Sequence, residues 1–135
     1  MHLRFLDRKE ADRRAYFEQS AQRRGLSPVI IEKDFWVCWM LAILFDSRFG
    51  DHLVFKGGTS LSKVFGAINR FSEDIDLSLS PEYLHLDDVT DPAALSGSQA
   101  EKWMDAAQGA CARAVKQDVC TELERAVGGV LGRAT

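Results

Sequence analysis

Lys56–Leu79 reads KGGTSLSKVFGAINRFSEDIDLSL, and the order of its parts decides the fold. Apolar Leu53–Phe55 leads into it as a short strand, and Gly57-Gly58 breaks that strand. Residues 59–67 then have the look of a short helix capped by Thr59 or Ser60. Residues 66–72 form a loop holding Asn69 and Arg70. A second strand over Asp74–Ser80 alternates, with Ile75, Leu77 and Leu79 on one face and Asp74, Asp76 and Ser78 on the other. Pro81 stops it.

Outward from this unit the chain is mostly helical. Residues 7–24 carry Ala11, Ala15, Phe17 and Ala21 at roughly helical spacing, and Gly25 ends that helix. Ser27-Pro28 reads as cap and first helical residue, because proline needs no donor there. The following helix runs to about Phe45 and presents Ile31, Phe35, Trp36, Trp39, Met40, Ile43 and Leu44, which makes it the expected centre of the core. Residues 81–98 are acidic and turn-rich. From Ser98 to Val127 the pattern is helical again, with Trp103, Ala107, Ala110, Cys111, Ala114, Val115 and Leu123. The tail from Gly128 to Thr135 shows no recognisable pattern. The expected class is α/β (α+β): a small mixed sheet flanked by helices, helix-rich, in one domain over residues 1–135.

Composition narrows the function classes. A chain of 135 residues with 46% hydrophobic and 27% charged residues is an ordinary globular domain. The longest apolar run, Phe35–Phe45, is too short to span a bilayer, and no apolar signal core opens the chain, so the expectation is a cytoplasmic protein with no membrane partner. Cys38, Cys111 and Cys120 contain no C-x-x-C pair, which argues against zinc or a disulfide framework. Net charge is −3, so no general nucleic-acid surface is indicated, although the segment from Arg4 to Arg24 is locally basic.

The chemistry gathers in the central stretch. Period-2 geometry sets the Asp74 and Asp76 carboxylates about 7 Å apart on one strand face. Such a pair repels unless water or a cation lies between, and Mg²⁺ takes one or two carboxylates together with substrate phosphates. Taken alone, D-x-D is also the ordinary outer face of an edge strand. Gly57 and Gly58 let backbone N–H groups approach a phosphate, the helix start behind them adds partial positive charge, and Thr59 or Ser60 can donate hydroxyl hydrogen bonds. The same residues also suit a plain strand-to-helix turn. Lys63 and Arg70 are cations able to neutralise a triphosphate, or simply surface charges; Lys56 is the weaker candidate. A Walker loop is excluded because Ser62, not glycine, precedes Lys63. The combination points to transfer of a nucleotidyl or phosphoryl group.

Gly57-Gly58-Thr59-Ser60 followed by Asp74-Ile75-Asp76-Leu77 resembles the pattern of the DNA polymerase β nucleotidyltransferase superfamily. The longer text KGGTSLSK…RFSEDIDL, with Ile31-Glu32-Lys33-Asp34-Phe35-Trp36 upstream, looks like the AbiEii/AbiGii (MenT-like) toxin branch. The resemblance covers roughly residues 27–127. It implies a nucleotidyltransferase fold and a Mg²⁺-dependent enzyme that transfers NMP from an NTP to an acceptor such as tRNA. It implies nucleotide contacts from Gly57, Gly58, Thr59, Ser60, Lys63 and Arg70, metal ligation by Asp74 and Asp76, and a catalytic role for both aspartates and Lys63. It further implies a toxin–antitoxin or phage-defence setting with a winged-helix antitoxin. The superfamily's third acid has no counterpart on a later strand: Asp87, Asp88 and Asp91 fall in a loop, and Asp105, Asp118, Glu122 and Glu124 on a helix. Members of the branch run to roughly double this length, so the expectation is an N-terminal part of a longer protein. Rival readings are a non-catalytic NTP- or antitoxin-binding domain, or a transferase modifying proteins or small molecules.

Overall fold

The computed structural model describes residues 4–58, 74–86 and 92–132. Helix α1 spans Glu10–Arg24, and Gly25 closes it in the left-handed conformation (φ 67°) that glycine adopts without strain. Three residues later α2 begins, spanning Pro28–Asp46, with the Ser27 hydroxyl accepting from the Ile30 amide and proline in the first turn. The short connection makes the two helices neighbours. An aromatic chain joins them: Phe5 lies 5.4 Å from Phe17 and 4.9 Å from Phe35, which continues through Trp36 to Trp39.

As expected, α2 is central. It contributes buried Val37, Trp39 and Leu44, joined by Leu6, Ala21 and Phe49. Phe49, the most buried large side chain at 1% exposure, sits in the bend after α2. A 3₁₀ turn over Gly50–His52 then delivers the chain into β1, Leu53–Lys56. β1 pairs antiparallel with β2, Asp76–Leu79, in the register Leu53↔Leu79, Val54↔Ser78, Phe55↔Leu77 and Lys56↔Asp76. Among the described residues the sheet has these two strands. The mixed α/β class holds, with helices dominating.

The second strand is shorter than the expected Asp74–Ser80. The ladder ends at the Lys56↔Asp76 pair, where the partner strand turns away at Gly57, so Asp74 precedes the strand. The helical turn beyond β1 starts at Gly57-Gly58, ahead of the hydroxyl cap expected at Thr59 or Ser60. The helix expected over 59–67 and the loop to residue 72 lie outside the described residues.

The last helical stretch differs from the single helix expected over 98–127. α3, Gly97–Ala114, opens on a capping box between Ser96 and Gln99. A π-helical segment, Val115–Val119, interrupts it, and α4 follows over Cys120–Leu131. A π segment inserts an extra residue into the helical repeat, and here it carries Asp118 to partners described below. The tail expected to be structureless from Gly128 is helical to Leu131. Glycine weakens a helix by about 1 kcal/mol but, unlike proline, does not break it. Between the hairpin's apolar face and α3–α4 lies an apolar cleft of about 560 Å³.

Candidate functional site

The outward face of the hairpin carries Val54, Lys56, Asp76 and Ser78; the inward face carries Leu53, Phe55, Leu77 and Leu79. This alternation is what points Asp76 to solvent at the end of the ladder, where it is exposed. One residue past that last pair stands Gly57, with φ at 80°. A Cβ built on Gly57 would fall into the Asp76 carboxylate, 2.8 Å from its Cγ. Gly57 and the second aspartate of D-x-D are therefore in direct apposition. Only glycine satisfies both demands here, a left-handed backbone and no side chain against a carboxylate.

Asp74 is exposed and lies two residues before Asp76. Gly58 follows Gly57 in the helical turn. Thr59, Ser60, Lys63 and Arg70 lie outside the described residues. Lys56 was the weaker cation on sequence grounds, yet the register makes it the cross-strand partner of Asp76. Directly opposite residues hold their Cβ atoms about 4.5–5.5 Å apart. The signal that finds Lys56 is antiparallel pairing, which a one-dimensional reading cannot supply.

Among the described residues no three His, Cys, Asp or Glu side chains gather in a way that could hold a metal. Mg²⁺ keeps several waters and completes its shell with substrate phosphates, so it asks for only one or two carboxylates, the kind of donor Asp74 and Asp76 offer.

The helical acids serve elsewhere. Asp118 accepts a hydrogen bond from the Tyr83 hydroxyl at 2.9 Å and faces Arg48 Nη2 at 3.5 Å. Burial, reinforced by that bond to Asp118, pushes the Tyr83 phenol above its ordinary value. Glu122 takes two bonds from Arg125, through Nε at 3.2 Å and through Nη2, and these hold its carboxyl below the ordinary range. Asp87, Asp88 and Asp91 lie outside the described residues. No helix among the described residues is long and apolar enough to cross a membrane.

No curated protein and no solved structure matches the chain. A family model does: the nucleotidyl transferase AbiEii toxin of type IV toxin–antitoxin systems matches residues 39–130. The match starts inside α2, covers the hairpin with its glycine turn and D-x-D, and ends in α4. With two-thirds of its length so matched, and the glycine turn lying against the acidic strand, this chain belongs to the AbiEii nucleotidyl transferase toxin family.

Proposed function

We propose that this chain transfers NMP from an NTP to an acceptor, at a site built on the hairpin end where Gly57 meets Asp76. The observation that carries the reading is that apposition: a Cβ at Gly57 would collide with the Asp76 carboxylate. Backbone N–H groups of Gly57 and Gly58 receive the triphosphate oxygens, with the hydroxyls of Thr59 and Ser60 beside them. Asp74 and Asp76 hold Mg²⁺. When bound, the metal supplies Lewis-acid stabilisation of the charge that develops on the phosphate oxygens. Lys56, opposite Asp76, together with Lys63 and Arg70, offsets the charge of the tail and of the departing pyrophosphate. Lys63 acts among the catalytic groups.

The acceptor is an RNA, with tRNA the first candidate. The antitoxin is a winged-helix protein, and the pair acts in the cytoplasm in phage defence. The family match supports a nucleotidyl transferase toxin acting with an antitoxin; the RNA acceptor, the winged-helix partner and the phage-defence setting follow from the sequence resemblance alone.

The test uses NTP labelled at the α-phosphate, incubated with the chain, Mg²⁺ and total tRNA. Label should move to RNA, and Asp74→Ala or Asp76→Ala should abolish both transfer and Mg²⁺-dependent NTP binding. Label appearing on protein or on a small molecule would replace the acceptor. Unchanged NTP binding in both variants would remove the site.

A further inference from the structure

A second group of polar and aromatic side chains lines a cleft of about 650 Å³ at the other end of the hairpin. His52 immediately precedes β1, and Ser80 immediately follows β2. The strands are four residues long, so this end stands about 13 Å from the Lys56↔Asp76 end. The two sites are separate.

Tyr83 is held from several sides. Its amide donates to Ser80 Oγ at 3.2 Å, its hydroxyl donates to Asp118 Oδ2 at 2.9 Å, and Phe49 meets its ring at 5.6 Å and 89°. The His52 imidazole shares a 3.1 Å hydrogen bond with Ser80 Oγ and lies 5.2 Å from the Tyr83 ring. His85 lines the same cleft with φ at 55°, the one positive φ among the described non-glycine residues. The opposite wall is the junction of α3 with the π segment, contributing Arg113 and Asp118. Left-handed non-glycine residues and π segments both cost stability and recur at functional sites. Here both frame one cleft of a size typical for small-ligand sites.

The chemistry of the lining selects the ligand. Two imidazoles and a fixed phenol ring offer flat surfaces. Arg113 supplies donors, and Glu82 supplies acceptors. Asp118 is already engaged by Tyr83 and Arg48. Charges of both signs disfavour a bare polyphosphate, and the polar walls disfavour a lipid. A planar heteroaromatic ring with donors and acceptors on its edge matches all three properties, because bases stack on aromatic side chains and bond through their edges.

We propose that this cleft binds a nucleobase, as a second nucleoside site distinct from the hairpin end assigned to NTP. The base stacks on one ring of the prearranged, mutually tilted Tyr83–His52 pair (5.2 Å, 45°), and its edge meets Arg113 and Glu82. Because Tyr83 is already fixed by its hydrogen bonds and by Phe49, its side chain has little ordering cost on binding.

The test titrates the whole chain with adenosine, guanosine, cytidine and uridine, none of which carries phosphate, following the histidine imidazole resonances by NMR. At least one nucleoside should saturate and shift the His52 and His85 signals. Arg113→Ala should weaken that binding by about tenfold, the effect of losing a charge-assisted hydrogen bond. His85→Gly, which suits a φ of 55° and so keeps the fold, should weaken it as well. Asp76→Ala should leave nucleoside binding intact while removing Mg²⁺–NTP binding, so the two assignments fail separately. Absence of saturation with all four nucleosides would overturn the proposal. Equal binding of free ribose, or binding lost in Asp76→Ala but kept in Arg113→Ala, would overturn it too.

Discussion

Replacing Gly57 by alanine tests the geometry of the hairpin end most directly. Two costs arise. A residue with a Cβ held at φ 80° costs about 1–2 kcal/mol relative to glycine. The new methyl also occupies the space of the Asp76 carboxylate, 2.8 Å from Cγ and 3.0 Å from Cβ, so Asp76 must leave its rotamer at a further cost of about 0.5–1.5 kcal/mol. The sum is about 1.5–3.5 kcal/mol, which for a domain of this size lowers Tm by about 5–14 °C. A double-mutant cycle separates the two terms. In an Asp76→Ala background the carboxylate is gone, and Gly57→Ala should then cost only the backbone term. The coupling between the two positions should be about 1 kcal/mol, measured by urea denaturation of all four proteins. A cost for Gly57→Ala below about 0.5 kcal/mol, or an equal cost in both backgrounds, would refute the apposition. Under the proposed function, Mg²⁺-dependent NTP binding provides a second readout, because the displaced Asp76 carboxylate is the proposed metal ligand.

Phe49→Ala should destabilise by about 3–5 kcal/mol in urea melts, since the ring is 1% exposed and leaves a cavity against Tyr83. Ser27→Ala removes the cap bond to the Ile30 amide and should cost about 1 kcal/mol, visible as a modest drop in Tm. The raised phenol of Tyr83 gives a pH signature. Its folded value lies above the ordinary 10.0, so its stabilising contribution is complete below that pH and declines as pH rises through the folded value. Stability measured from pH 8 to pH 12 should therefore fall more steeply in the parent than in Tyr83→Phe, and parallel curves would contradict the cause. Lys56→Ala should weaken Mg²⁺–NTP binding while leaving Tm within about 1 °C, because the side chain is exposed.

The helices were legible because their signals are local. Gly25 and Ser27-Pro28 bound α1 and α2 by conformational preferences that need no partner. The paired glycine turn and D-x-D were legible because apolar alternation fixes which face Asp76 shares. What sequence could not supply is whatever depends on a partner. The start of β2 at Asp76, not Asp74, follows from where β1 turns away. The nearness of Lys56 follows from antiparallel pairing. The π segment at Val115–Val119 has an ordinary helical sequence, and the contact it makes, the bond from Tyr83 to Asp118, joins residues thirty-five apart. Phe49 was missed as a core residue because it stands alone in a bend, outside any periodic stripe.

The ladder of four rungs has a consequence for how the site comes into being. Leu53, Phe55, Leu77 and Leu79 occupy the inner face of the same rungs whose last outer position is Asp76. Sliding one strand by a single step would turn leucines to water and a carboxylate toward the apolar cleft, a double penalty. A wrongly zipped chain is thus disfavoured by its own hydrophobic side chains. Packing acts as an inspector of this corner: Asp76 faces Gly57 only in molecules whose interior is already correctly seated.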